Sequence, residues 1–298
     1  MITPIRAFDF EYGQVDWVSP RIRRIVAENA GPFTYTGTGT YLVGGSAPGA
    51  EVAVIDPGPL DDRHLTALVE ATAGQRVAAV LVTHTHLDHA PLARPFAAAV
   101  GATIYAARPP SIGTPAESQT ESPIDFAPDV VVSDGDPIAG DDWTLRTVAT
   151  PGHASNHLAF WLDEERALFS GDHVMGWSTT VVAPPDGDML DYMHSLQKVI
   201  ELDPAVIWPT HGPPVREPRP FLADYLAHRT MREAQILERL GAGDRRVRDM
   251  VARLYAEVDP RLWPAASLSV WAHLIALEKQ GRVKSSPSST IDAEWSPT

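Results

Sequence analysis

The chain of 298 residues is 44% hydrophobic and 21% charged, with a formal net charge of −14 and no cysteine. That composition belongs to a globular protein able to bury a sizeable core; it holds no run of 18 apolar residues for a membrane span, and Met1 to Phe10 lack the basic-then-apolar pattern of a secretory leader, so a cytoplasmic location with no membrane partner is expected. Without cysteine there are no disulfides, no thiolate metal sites and no thiol nucleophile, so any metal must be held by nitrogen and oxygen.

In chain order, residues 39–44 and 51–56 read as paired strands, the second closing on Asp56-Pro57-Gly58-Pro59. Residues 60–73 read as a helix, and 77–83 as an apolar, β-branched core strand. A short alanine-rich helix at 91–100 and a strand at 102–106 follow, then a proline-rich surface loop at 108–128. Short strands are expected at 129–133, 143–149, 157–162 and 167–171. Met189, Tyr192, Met193, Leu196, Val199 and Ile200 fall at helical spacing within 188–202, and 205–208 is a last strand. Two runs of strands with interspersed helices predict an α/β protein of layered α/β/β/α architecture over residues 1–217.

From Pro218 the character changes. Helices are predicted at 219–240, 245–257 and 265–280, the last stopped by Gly281, and Arg282-Val283-Lys284 would open a small wing. Residues 218–284 therefore form a mostly helical accessory domain, and the Ser/Pro-rich, acidic residues 285–298 are expected to be disordered. Residues 1–202 hold 11 basic and 26 acidic side chains (net −15), whereas 203–284 hold 13 and 10 (net +3). The acidic body argues against long-range attraction of nucleic acid to most of the surface. Arg245, Arg246 and Arg248 offer phosphate contacts, although Asp244 and Asp249 beside them favour a solvated helix face.

The chemistry concentrates in Thr83-His84-Thr85-His86-Leu87-Asp88-His89, directly after the core strand. Imidazole and carboxylate suit zinc, iron or manganese. His84 and His86 are two apart, so on an extended backbone they point the same way, while Asp88 and His89 follow where the chain turns and can face a second ion. Three more candidates stand at strand ends: His153 in Thr150-Pro151-Gly152-His153, Asp172 in Ser170-Gly171-Asp172, and His211 in Thr210-His211-Gly212. Proline and glycine make tight turns that hold a side chain at a strand tip.

The order THxHxDH, PGH, SGD and a final His-Gly resembles the metallo-β-lactamase superfamily, across about residues 30–215. The resemblance implies a four-layer αββα sandwich. It implies that His84, His86 and His153 hold one divalent metal, that Asp88, His89 and His211 hold a second, and that Asp172 bridges them, with zinc the first choice and manganese or iron the alternatives. An aspartate at the bridging position, and no cysteine, resembles the glyoxalase II and ribonuclease Z side rather than the antibiotic-hydrolysing lactamases. Within the superfamily the chain is similar to the β-lactamase-like protein 2 group, which carries a small winged-helix-like C-terminal domain. The shared stretches are 37–44, 151–157, 191–196 and 272–283. His173 after Asp172, and Thr210 where glycine is common, depart from the pattern without removing a ligand.

The resemblance implies a binuclear hydrolase in which a metal-bridging hydroxide attacks and Asp88 orients it, with no protein nucleophile; Ser155, Ser170 and Ser178 need no catalytic role. His157 and His173 are candidates for substrate contact or leaving-group protonation, against a competing role in holding the site. His64, His194, His228 and His273 fall on predicted helices and are expected to serve the surface or core. Single-stranded RNA is the first substrate expectation. A thioester or ester of the glyoxalase II kind is the second, with promiscuous lactone or β-lactam cleavage. A non-enzymatic DNA-binding regulator is the third, disfavoured by the intact ligand set and the −14 charge. The C-terminal domain would wall the active site or form a homodimer contact.

Overall fold

The computed structural model describes residues 2–110 and 126–298; the surface loop expected at 108–128 lies mostly outside the described residues. The apolar runs fold as two sheets stacked face to face. The first contains β1 (Asp16–Trp17), β2 (Ile22–Val26), β3 (Gly39–Val43), β4 (Glu51–Ile55), β5 (Arg76–Leu81), β6 (Thr103–Ala106) and β7 (Val130–Val131), in sequential order. Its first four strands are antiparallel, and β4 through β7 are parallel. Helices α1 (Asp62–Ala71) and α2 (Ala93–Val100) make the parallel crossovers. The second sheet contains β8 (Pro137–Ala139), β9 (Thr144–Ala149), β10 (Leu158–Leu162), β11 (Ala167–Gly171) and β12 (Val206–Pro209), ordered β12-β11-β10-β9-β8. Helix α3 (Met189–Leu202) connects β11 to its parallel partner β12.

Strand alternation sorts the side chains into layers. Tyr41, Val43, Ala53 and Ile55 face inward and meet Leu158, Phe160, Leu162, Phe169 and Trp208 of the other sheet. Leu42, Val52 and Val54 face outward, against Leu68 of α1 and Phe96 of α2. Ala159, Trp161 and Leu168 turn outward against Tyr192, Leu196 and Val199 of α3. Each valine, leucine, isoleucine or phenylalanine among them, fully buried, contributes about 1.5–3 kcal/mol from apolar area removed from water. The expected αββα sandwich is the observed one.

Strand β2 was not legible in the sequence. Ile22-Arg23-Arg24-Ile25-Val26 carries two arginines, yet all five residues are buried. The guanidinium of Arg23 donates to Ala71 O at 3.0 Å and Gln75 Oε1 at 2.9 Å, and that of Arg24 to Asp9 O and Asp16 Oδ2, both at 3.0 Å.

The C-terminal region contains α4 (Pro218–Gly241), α5 (Val247–Leu254), α6 (Trp263–Lys279), β13 (Val283–Ser286) and β14 (Glu294–Pro297). Helix α4 serves both halves of the molecule. Its Leu222 and Tyr225 join the core beneath the second sheet, and its Ile236 and Leu240 join the core of the helical domain. Residues 285–298 are not a disordered tail. Strand β14 pairs antiparallel with β13, and Trp295 is fully buried in the helical core with Val270, Leu274 and Leu277. Ser/Pro richness hid a strand anchored by one tryptophan. Among the described residues no helix is long and apolar enough to cross a membrane.

Candidate metal centre

Strands β4 and β5 run parallel, as do β11 and β12, and their C-terminal ends meet across the sandwich. Leu158 N–H donates to Thr83 O and Gly39 N–H to Thr210 O, each at 2.7 Å; the Tyr41 hydroxyl donates to Pro209 O at 2.7 Å. Everything expected as a ligand leaves the sheets at this edge. Two glycines make the close approach feasible. Gly152, before His153, has φ +138° and lies against Tyr192, whose Cα would stand 2.3 Å from an added Cβ. Gly171, before Asp172, has φ +52°, and an added Cβ would stand 2.6 Å from His157 Nε2. No other residue type satisfies both the backbone angle and the space.

Seven side chains converge there in two trios and a bridge. His84 Nε2 is 2.8 Å from His86 Nδ1, which is 3.1 Å from His153 Nε2. His211 Nε2 is 3.0 Å from Asp88 Oδ2, and His89 Nε2 is 3.6 Å from Asp88 Oδ1. Asp172 stands between: Oδ1 faces the second trio, 3.7 Å from His89 Nε2 and 3.4 Å from His211 Nε2, while Oδ2 faces the first, 3.6 Å from His153 Nε2. His84, His86 and His153 form one cluster able to hold a metal ion, and Asp88, His89 and His211 another.

The outer ring nitrogens are already engaged, which fixes the tautomers. His84 Nδ1–H donates to Thr83 Oγ1 at 3.0 Å, His89 Nδ1–H to Asp56 Oδ2 at 2.8 Å, His153 Nδ1–H to Val181 O at 2.6 Å and His211 Nδ1–H to Gly37 O at 3.2 Å. Each therefore presents Nε2 inward, the arrangement a metal-ligating imidazole needs. His89 Nε2 and Asp172 Oδ1 are buried with no hydrogen-bond partner, and His211 Nε2 faces only carboxylate, Asp88 Oδ2 at 3.0 Å and Asp172 Oδ1 at 3.4 Å. Such a cluster of inward-facing nitrogen and oxygen atoms fits a divalent cation, because buried polar atoms left unpaired are otherwise costly.

The electrostatics split along the same line. Burial, with His89, His86, His157 and His153 around it, holds His84 neutral, well below the ordinary value; burial and His153 push His86 down to about 3. Burial opposes charge on His89 too, but the carboxylates of Asp88, Asp172 and Asp56 outweigh it and raise that imidazole well above its usual range. His211 is raised against its burial by Asp172 and Asp88. Asp88 and Asp172 stay ionised despite burial because His89 and His211 face them.

The sequence model of the metallo-beta-lactamase superfamily matches residues 36–211, more than half of the chain and the whole of this centre. The chain belongs to the metallo-beta-lactamase superfamily. Members of this superfamily are metal-dependent hydrolases. The model of the beta-lactamase-associated winged helix domain matches residues 247–295, so the C-terminal domain is a winged helix and β13–β14 is its wing. The chain is 35% identical to a beta-lactamase-like protein 2 homolog of Caenorhabditis elegans, over 75% of this chain and 72% of that one. It is 34% identical to an atrochrysone carboxyl ACP thioesterase of Aspergillus fumigatus, over 75% of this chain and 66% of that one. In fold it is similar to a metallo-beta-lactamase family protein from Thermus thermophilus, with a TM-score of 0.75 at 22% identity, over 95% of this chain and 100% of that one.

His157 and His173, weighed between substrate contact and a role in holding the site, are both buried. His157 Nδ1 bonds Thr150 Oγ1 at 2.8 Å, and its Nε2 accepts from the Asp172 N–H at 3.1 Å, so it holds Asp172 from behind. His173 lies against the Tyr192 ring, 5.0 Å between centroids. One residue was missed. Asp56, fully buried, accepts from Thr83 N, Thr83 Oγ1 and Thr210 Oγ1, each at 2.8 Å, as well as from His89. An acidic residue ending an apolar strand before Pro-Gly-Pro was the available signal. Of the helix histidines, His64 is buried with Nε2 2.8 Å from Thr40 Oγ1, and His273 is buried in the winged-helix core.

Proposed function

We propose that this chain is a binuclear metal-dependent hydrolase of acyl thioesters or esters. The observation that carries the substrate class is a charge absence. None of the five segments that build the site, 29–38, 83–92, 150–157, 170–182 and 209–215, contains a lysine or an arginine. A phosphodiester backbone is recognised chiefly through cations. What the segments do expose is apolar: Leu87, between His86 and Asp88, is 44% exposed, and Phe33 is 45% exposed. Phe33 sits on the loop whose Gly37 carbonyl orients His211 and whose Thr38 hydroxyl binds Asp88 O at 3.0 Å. That suits an acyl chain. A relative named for carboxyl ACP thioesterase activity supports the same reading.

In this reading His84, His86 and His153 hold one divalent ion, Asp88, His89 and His211 the other, and Asp172 spans both. Zinc is the first choice for a nitrogen and oxygen set of this kind. Bound there, two such ions would lower the pKa of the attacking water and polarise the substrate carbonyl. Asp88 is the most open of the seven side chains, and its carboxylate can accept a hydrogen bond from the incoming water. The three serines of these segments are each hydrogen-bonded. Ser155 Oγ binds Asp186, Ser170 Oγ donates to Val174 O at 2.8 Å, and Ser178 Oγ donates to Thr179 O at 3.4 Å. The arginines once open to RNA are engaged as well. Arg246 pairs with Glu294 at 3.0 Å, Arg248 with Asp249 at 3.6 Å, and Arg245 donates to Leu240 O at 2.7 Å.

The test is a hydrolysis panel on zinc-reconstituted full-length protein. It sets acyl thioesters of graded chain length beside short single-stranded RNA, with Asp172→Ala as the blank. Thioester turnover that disappears in the variant is the expected result. RNA cleavage without thioester turnover would overturn the substrate assignment and restore the phosphodiester reading.

A further inference from the structure

The segment from Asp172 to Val181 carries two supports of the centre. At one end stands the bridging carboxylate; at the other, Val181 O accepts the His153 Nδ1–H at 2.6 Å. Between them the backbone carbonyls are gripped from the helical side. Thr180 Oγ1 reaches Asp172 O at 2.8 Å and His173 O at 3.0 Å. The Tyr192 hydroxyl, from α3, donates to His173 O at 2.9 Å. The Tyr225 hydroxyl, from α4, lies 3.0 Å from Met175 O and 2.6 Å from Ser178 O.

Arg229, one helical turn after Tyr225, ties these grips together. It is 3% exposed, its Nη2 donates to Thr180 O, and its guanidinium lies 4.9 Å from the centroid of the Tyr192 ring. Its Nε is buried without a partner. A buried guanidinium held by a carbonyl and a ring, rather than by a carboxylate, is expensive to keep. A plain core position would be better filled by an apolar side chain. The contact runs from the helix shared with the winged-helix core to the residue whose hydroxyl binds Asp172 and whose neighbour orients His153.

We propose that Arg229 is a positioning residue for the metal centre. Through Thr180 and Tyr192 it sets the spacing between the Asp172 carboxylate and the carbonyl that orients His153, so that α4 supports the metal centre at this one contact, independently of the packing of the winged-helix core. The inference rests on the reading of His153 and Asp172 as metal ligands. Nothing in it depends on which substrate is cleaved.

The experiment measures zinc affinities of full-length Arg229→Met, Arg229→Lys, Leu240→Ala and His153→Ala by competition with a chromophoric chelator, alongside the visible spectrum of the cobalt-loaded forms. Arg229→Met should weaken at least one metal equivalent by about 10–100-fold, the range found when an outer partner of a ligand is lost, and change the cobalt spectrum. Arg229→Lys, which keeps one N–H for Thr180 O, should recover most of that loss. Leu240→Ala, in the winged-helix part of the same helix, should lower the melting temperature with both affinities within about twofold of the parent. The proposal falls if Arg229→Met binds both equivalents like the parent while His153→Ala does not, or if Leu240→Ala costs as much affinity as Arg229→Met. If His153→Ala also leaves both affinities unchanged, the ligand reading itself falls, and this proposal with it.

Discussion

Asp56 Oδ2 lies 2.8 Å from His89 Nδ1, with both side chains fully buried. That one carboxylate also receives the Thr83 N–H and the hydroxyls of Thr83 and Thr210. It therefore joins the ends of β4, β5 and β12 and fixes the tautomer of a ligand in the same step. Its backbone sits at φ +48°, an angle few residues other than glycine adopt. Asp56→Asn keeps the shape but replaces an acceptor oxygen with a donor, facing three groups that already donate. Affinity for the metal held by His89 should fall about 10–100-fold. Stability should fall by about 1.5–3 kcal/mol, the scale of a hydrogen bond to a charged group. Chelator competition and urea unfolding read the two effects separately, and an affinity within twofold of the parent would show that Asp56 does not act through His89.

The two trios should differ in proton release. Ligation needs a neutral imidazole, and His84 and His86 are held neutral, the latter down to about 3. In the second trio His89 and His211 are raised above the ordinary value by the facing carboxylates, so a metal there competes with protons at higher pH than in the first trio. The sign follows: lowering the pH from above those raised values strengthens the competing protons, and affinity at the second trio falls while that at the first changes little until far lower pH. Calorimetric zinc titration in buffers of different ionisation enthalpy counts the protons. The equivalent lost in His211→Ala should release more protons than the equivalent lost in His84→Ala. Equal release from both would contradict the electrostatic split.

How much of this centre could be read in the sequence depends on where each residue's role is decided. The seven ligand candidates were legible because their types recur at strand tips with short spacing, and the strands before His84, Asp172 and His211 are largely apolar on both faces. Asp56, His157 and Arg229 act through residues far away in sequence, 33 positions from Asp56 to His89 and 49 from Thr180 to Arg229. No local pattern marks such pairs. His157 and His173 were legible as close neighbours of the ligand candidates, and both are buried; His157 accepts the Asp172 N–H, one of the two roles weighed for it. Strand β2 was hidden by Arg23 and Arg24, whose charges are satisfied by partners the sequence does not announce.

The C-terminal segment makes the same point and can be tested alone. Serine and proline suggested disorder over 285–298, but Trp295 fills the winged-helix core, and its backbone N–H donates to Arg245 O at 2.8 Å. Burying a tryptophan outweighs the loop-like composition around it. Trp295→Ala should cost about 3–5 kcal/mol of winged-helix stability, since the cavity cannot collapse fully. Thermal melts followed by tryptophan fluorescence and hydrogen exchange of α5 and α6 would detect it. A disordered tail would leave both unchanged.

Leu87 and Phe33 carry the substrate prediction. Each exposes nearly half of its surface, Leu87 between two ligand candidates and Phe33 on the loop that contacts His211 and Asp88, where burial against an acyl chain would be favourable. Every methylene transferred from water to such a surface is worth about 0.8 kcal/mol, or about fourfold in binding. For the parent enzyme, KM should fall with acyl length until the apolar surface is covered. Leu87→Ser with Phe33→Ser should flatten that dependence and raise KM for long acyl thioesters by about tenfold, with kcat nearly unchanged, because the lost contact holds ground state and transition state alike. The ligands are untouched, so zinc stoichiometry should remain that of the parent. A variant that keeps the parental slope of KM with chain length would place the acyl chain elsewhere, and a variant that loses kcat in proportion would mean these side chains shape the reacting centre itself.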